Sequence, residues 1–442
     1  MKIQLSDHFT YKKLIRFVMP SIIMMIFTSI YGVVDGLFVS NFVGKTAFAA
    51  INLIMPFLMG ISALGFMIGT GGSAIVAKTL GEGNKEMANK YFSMLVYVTI
   101  IGGITISTLG FIFMRPVSIF LGASGTLLEN CVLYGRITLI SLTAFMLQNV
   151  FQSFFATAEK SKLGLYVIIA AGVTNMALDF LFIAVFRWGI AGAAIATATS
   201  EFIGGLFPVF YFSRKNSSLL RLGHIYFDGR TLLKACTNGS SELMTNLSMS
   251  IVNALYNFQL MKLAGENGIA AYGTIMYVNF IFISIFLGYS IGSAPIVGYH
   301  YGAGNHAELK NLLQISLRLV GCCGMMLVIL AQLLAVPLAS IFVGYDAKLF
   351  DLTCHGFRLY SLAFLINGFN IFGSAFFTAL SNGLVSAAIS FLRTLVFQVA
   401  VVLLLPLVLG INGIWLAVAV AEALTLLVTI TFFVQKRKVY HY

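Results

Sequence analysis

Twelve apolar stretches, each long enough to cross a bilayer as a helix, take up nearly all of this 442-residue chain. They lie near residues 14–41, 47–78, 92–114, 132–157, 162–186, 189–212, 237–264, 268–300, 312–337, 356–380, 384–409 and 411–434. A spanning helix needs about 20 mostly apolar residues, so little sequence is left over for a soluble domain. Only 10% of the residues are charged and 59% are hydrophobic, where soluble domains carry about 25% charged residues. Mean hydropathy is +0.94. The pattern predicts an all-α polytopic membrane protein.

The chain also repeats itself half its length apart. Residues 44–84 (GKTAFAAINLIM…LGEGN) recur at 265–305 (GENGIAAYGTIM…YGAGN) with a constant offset of 221, and 11 of the 41 aligned positions are identical. The same offset later matches Gly189-Ile190-Ala191-Gly192 to Gly410-Ile411-Asn412-Gly413, and Glu201 to Glu422. Six spans per copy place both copies the same way up, which makes a parallel repeat about an axis along the membrane normal. The expected architecture is two pseudo-symmetric six-helix lobes, residues 1–212 and 237–442, joined by a linker at 213–236. The linker holds the longest clearly polar connection, Ser213 to Lys234.

A net charge of +12 could suit nucleic acid, but its distribution points elsewhere. With the N-terminus in the cytoplasm, nineteen Lys and Arg fall on inside loops and seven on outside ones, and Arg393 lies within a span. That asymmetry is the positive-inside pattern, and it predicts a cell-membrane protein with both termini cytoplasmic and no nucleic-acid partner. The five cysteines show no CxxC spacing and the six histidines no HExxH pair, so no cofactor is expected. The Gly-x-Gly-Asn turns follow no strand, which weakens a phosphate-binding reading.

The copies differ where it matters chemically. Asp35, Asn175, Asp179 and Thr197 fall opposite Tyr256, Val396, Ala400 and Val418 at the common offset. Counted from the outer ends of their spans at about 1.5 Å per residue, Asp35, Asp179 and Thr197 reach a similar depth of roughly 9–12 Å. Asn175 lies one turn from Asp179 on the same helix face, and Glu201 one turn beyond Thr197. A mid-membrane aspartate costs about 2.5–3.5 kcal/mol on insertion scales. Two in one lobe call for compensation by a proton, a cation or a partner. The four residues are the candidate ion-coupling site; Asp35 and Asp179 would be metal ligands if the ion is sodium, with Asn and Thr oxygens completing a hard-cation shell. The bland alternative is a satisfied polar helix interface, and Asn and Thr often serve only as such glue.

Other intramembrane groups are read more plainly. Glu201 and Glu422 sit at matched places, which favours a structural role. Glu242 lies near the cytoplasmic end of span seven, and Arg393 could pair with Glu422. Pro20 and Pro295 each remove a helix hydrogen bond, either as hinges or as the tolerated prolines common in membranes. Tyr31, Phe38, Met24 and Tyr256 are candidates for a soft cavity suited to flat cations.

Taken together, these residues resemble the multidrug and toxic compound extrusion (MATE) family. The resemblance covers essentially the whole chain. It rests on Pro20-Ser21 followed by Tyr31-Gly32-Val33-Val34-Asp35, the glycine-rich second span ending LGEGN, Asn175-xxx-Asp179, and SAPIVGYHYGAGN at Ser293–Asn305. It implies twelve helices in two lobes, and export of cationic or amphipathic organic compounds in exchange for protons or sodium. It also implies ion coupling at Asp35, Asn175, Asp179 and Thr197, with Pro20 permitting span one to bend. Span ten has Asn367 and Asn370 but no acid, which favours a DinF-like or MepA-like member over a NorM-like one.

The expected assembly is a monomer in the bilayer, working by alternating access and not as an enzyme. One rival is a lipid-linked oligosaccharide flippase of the same superfamily, which should carry a basic cavity. A remoter one is an intramembrane aspartyl protease using Asp35 and Asp179, whose usual GxGD setting is missing, since Asp179 follows Ala177-Leu178.

Overall fold

Helix is the only way this chain can satisfy its backbone inside a bilayer, and every long apolar stretch is helical in the computed structural model. The structure describes residues 3–224 and 226–442. Lys2 and the side chain of Lys45, both in the charge comparison above, lie outside what is described. The first half holds α1 (Tyr11–Phe42), α2 (Lys45–Gly81), α3 (Lys85–Phe120), α4 (Gly125–Thr157), α5 (Ser161–Asp179, prolonged by a π-turn over Phe180–Val185) and α6 (Gly189–Ser213). A short helix, α7 (Gly229–Asn238), begins after an Asp228 N-cap inside the stretch expected to be the polar linker.

The second half repeats the scheme. The helix α8 (Ser240–Gly302) runs 63 residues but breaks at Gly265 (φ 63°), so it supplies two spans. It is followed by α9 (His306–Val343), α10 (Ala347–Tyr360), α11 (Phe364–Ala379), α12 (Gly383–Phe391), α13 (Gln398–Leu409) and α14 (Ile411–Tyr440). A 3-10 turn joins α10 to α11 and a π-turn, Leu392–Phe397, joins α12 to α13. Eleven helices among the described residues are long and apolar enough to span a membrane, and the break in α8 makes twelve crossings. All seven prolines lie inside helices of this set, where neighbouring helices can re-satisfy the freed carbonyls.

Matched sequence gives matched backbone. Gly44 and Gly265 both take positive φ (97° and 63°), as do Gly83 and Gly304 (81° and 66°) and Gly189 and Gly410 (59° and 58°). Only glycine enters that region freely. After the second of these pairs, Asn84 Oδ1 accepts from Met87 N at 3.0 Å and Asn305 Oδ1 from Glu308 N at 3.1 Å. The repeated G-x-G-N turns are therefore helix-to-helix corners, each ending in an N-cap.

The two halves meet reciprocally. A Cβ on Gly81 would collide with Tyr299 O, and one on Gly302 with Lys78 O; residues 78 and 299 are themselves 221 apart. Such mutual i-to-j contacts are the mark of a two-fold interface, here inside one chain. This backbone contact closes the side of the molecule that carries the N-terminus. Towards the other side, Gly32 and Gly36 of α1, and Gly44 and Gly273, have no heavy atom within 4 Å of where a Cβ would stand.

Candidate functional site

Between the halves lies a cavity of about 460 Å³, within the range usual for small-molecule sites. Its wall comes mainly from α1, α2, α4, α5 and α6, with Asn246 and Phe280 added by α8. Asp35, Asn175 and Thr197 all line it. Asp179 stands just behind, fully buried, with its carboxyl neighbouring that of Asp35. Helices α1, α5 and α6 thus converge on one point.

The hydrogen bonding at that point is incomplete. Asp35 Oδ1, both carboxyl oxygens of Asp179, Asn175 Oδ1 and Thr197 Oγ1 are buried without a hydrogen-bond partner among the described residues. Buried polar atoms are nearly always paired, and an unmet acceptor costs about 1–3 kcal/mol. A shared proton or an intervening cation would relieve two neighbouring carboxyl groups of their mutual repulsion. Asn175 Oδ1 and Thr197 Oγ1 supply further oxygens of the kind a hard cation prefers. The donor set therefore fits a proton or a sodium ion.

Helix α4 contributes more than the sequence suggests. Tyr134, Thr138, Gln148, Asn149 and Gln152 face the cavity. Tyr31 and Thr197 line the same cavity from α1 and α6. Glu201, assigned to structure because it matches Glu422, also faces this cavity, and Ser141 Oγ donates to its Oε2 at 2.5 Å. A smaller chamber of about 160 Å³ adjoins it through Met25, Phe66 and Asn246, and Glu242 lines that chamber. Four carboxyl groups thus stand at or behind the walls of one inter-lobe space. No sequence pattern announces the α4 residues, because neutral amides and phenols in an apolar run carry no charge signal.

The soft-cavity candidates separate. Tyr31 faces the cavity. Phe38 packs beside Phe42 with ring centroids 6.0 Å apart. Met24 is 2% exposed, within the packing, and lines neither chamber. Tyr256 is likewise buried: it stacks on Tyr272 at 4.9 Å and accepts from Gln398 Nε2 at 3.3 Å. Which aromatic faces a cavity depends on helix rotation against neighbours, which composition does not encode. Pro20 sits within α1, on the closed side of the molecule.

The second half has no counterpart of the open site. Arg393 Nε donates to Glu422 Oε1 at 2.7 Å, and Asn370 Nδ2 donates to Glu422 Oε2 at 2.7 Å and to its backbone O at 2.9 Å. The Asn367 amide, turned nitrogen-inward, donates to Oε1 at 3.0 Å. Thr429 Oγ1 completes the set by donating to Asn370 Oδ1 at 2.8 Å. The expected Arg393–Glu422 pair is present and closed. One detail of the alignment shifts: the π-turns stand at different places in the two fifth spans. A π-turn adds a residue, so a constant offset does not hold through Asn175 and Asp179. Residues 396–402 contain no acid in any register.

Similarity to known proteins agrees with this architecture. The chain is 24% identical over 417 residues to the multidrug export protein MepA of Staphylococcus haemolyticus, covering 93% of this chain and 90% of that one. It is also 24% identical over 421 residues to an FAD transporter of Shewanella oneidensis, covering 93% and 91%. An outward-facing multidrug resistance MATE transporter of the MOP superfamily superposes with a TM-score of 0.93 at 24% identity, over 100% of this chain and 98% of the other. The MatE family model matches residues 20–181 and 243–404, one match in each half. The chain therefore belongs to the MatE, or multidrug and toxic compound extrusion, family of membrane transporters.

Proposed function

We propose that the protein is a cation-coupled antiporter that exports cationic or amphipathic organic compounds by alternating access. The carrying observation is the cluster of donorless oxygens on Asp35, Asp179, Asn175 and Thr197 beside an inter-lobe cavity. An entering proton or sodium ion would relieve the repulsion between the two carboxyl groups. A bound organic cation would draw on Asp35 and Glu201 in the same space, so ion and cargo compete for one set of charges. A ligand shifts a two-state equilibrium only by binding one state better, and this competition supplies that difference. The reciprocal glycine contact at Gly81 and Gly302 is the seam that must open for the cavity to reach the other side.

Asp35 and Asp179 hold the ion, Asn175 and Thr197 complete its shell, and Pro20 lets α1 bend. The lobes span 1–212 and 237–442 with 213–236 between them, and the protein works as a monomer in the cell membrane with both termini cytoplasmic. The relative named as an FAD transporter moves an anion, so the family fold does not fix cargo charge. The acidic lining here favours cations. It also counts against a lipid-linked oligosaccharide flippase, because Arg393, the span's own arginine, is committed to Glu422.

The test is efflux of a cationic dye from proteoliposomes, with a pH gradient and a sodium gradient imposed separately. One gradient should stimulate efflux and the other should not, naming the ion. Indifference to both would remove the coupling claim.

A further inference from the structure

Four cations gather at one end of the α1–α5 seam, and the transport cycle leaves them without a task. Lys12 and Arg16 lie one turn apart on α1. Lys162 stands in the first turn of α5, with Lys160 just before it. A cleft of about 770 Å³ opens there between the helices, lined by Lys12, Arg16 and Lys162 and, further along α1, by Met19, Pro20 and Ile23. A second chamber of about 420 Å³ shares Arg16, Pro20 and Lys162 and continues to Lys160 and Glu159.

Three of these four cations, Lys12, Arg16 and Lys162, have no ion-pair partner within the described residues, whereas neighbouring Lys13 pairs with Asp7 at 2.9 Å. Lys160 donates to Ser217 Oγ at 2.8 Å, and Glu159 accepts from Leu5 N at 2.8 Å. Along α1 the cleft grades from cationic at positions 12 and 16 to apolar at 19, 20 and 23. Arg16 and Ile23 are seven residues apart in sequence, or about 10 Å along the axis. Met19, Ile23 and Tyr166 are all exposed, and in a membrane protein that exposure is to lipid.

We infer that this cleft binds one anionic phospholipid. Arg16, with a planar fork suited to phosphate, holds the headgroup together with Lys12 and Lys162, and an acyl chain lies along Met19 and Ile23. Charge complementarity selects the lipid class, since a zwitterionic headgroup would bring its own cation against three unpaired ones. Basic pockets between membrane helices are a recurrent setting for anionic headgroups. A free phosphate would meet the cations but leave the apolar floor uncovered. The binding site stands apart from the transport reading. Its consequence for transport rests on that reading, because the cleft joins the two helices that carry Asp35 and Asp179, beside the proline of α1.

The experiment titrates the purified chain in neutral detergent with phosphatidylglycerol or phosphatidylcholine of matched acyl chains, counting bound lipid by native mass spectrometry. The wild-type protein should prefer phosphatidylglycerol, and excess inorganic phosphate should not displace it. Arg16→Gln/Lys162→Gln should weaken phosphatidylglycerol binding about 30-fold, at about fivefold per cation. Arg230→Gln/Lys234→Gln, which removes two exposed cations of α7, should change it less than twofold. Equal loss in the two double variants would reduce the effect to bulk charge and overturn the site. So would equal binding of both lipids by the wild-type protein, a comparison that needs no variant to fold, or displacement by phosphate.

Discussion

Glu201 and Glu422 occupy the same place in the two copies yet live in opposite chemical worlds. Glu422 is closed in by Arg393, Asn370 and Asn367, while Glu201 has one hydroxyl donor, Ser141, and faces a cavity shared with Asp35. At the place of Arg393 the first copy has Ala171 and Gly172, small in either register. Asn370 has a true counterpart in Asn149, but both polar atoms of the Asn149 amide are buried and unpartnered. At this matched position the duplicated scaffold is saturated with donors in one copy and left open in the other. The Glu422 site is thereby fixed within its lobe, while the Glu201 site keeps acceptors open beside the cavity.

Three sets of substitutions would break or sharpen this contrast. The largest effect is expected from Arg393→Ala, which strands the buried Glu422 carboxylate and should cost about 3–5 kcal/mol. Thermal unfolding in detergent reads it, and adding Glu422→Gln should restore most of the loss. Next come Gly81→Ala and Gly302→Ala, each driving a Cβ into a backbone oxygen of the other lobe. Overpacking of this kind costs about 1–3 kcal/mol, and the two variants should lower the unfolding temperature equally; a clear inequality would show the seam is not reciprocal. The smallest effect belongs to Glu201→Gln, which keeps the Ser141 bond. It should leave stability unchanged and raise the KM for a cationic dye about fivefold, as ~1 kcal/mol would.

Much of this is legible in the amino-acid sequence. Length and hydropathy fix the spans because the bilayer allows so few backbone solutions, and the 221-residue repeat gives the two-lobe plan. Asp35 and Asp179 stand out because charge inside an apolar run is costly. The matched positions of Glu201 and Glu422 do not reveal their different surroundings, because those are set by what α4 and α11 present. Charge gives no sign of Gln148, Asn149 and Gln152, which are polar without being charged. The linker helix α7 was hidden because its amphipathic turn carries too few apolar residues to register. The slip in register through Asn175 and Asp179 comes from π-turns, which leave no mark in residue type. Burial of Met24 and Tyr256 is a matter of helix rotation.

The most direct test compares the two lobes in one assay. Efflux of a cationic dye under the stimulating gradient would be measured for Asp35→Asn and for the neutral exchange Arg393→Gln/Glu422→Gln, both reconstituted at equal protein density. The account predicts that Asp35→Asn falls to the level of protein-free liposomes while the second-lobe exchange keeps ion-driven efflux. Coupled efflux surviving in Asp35→Asn, or lost only in the second-lobe exchange, would contradict it.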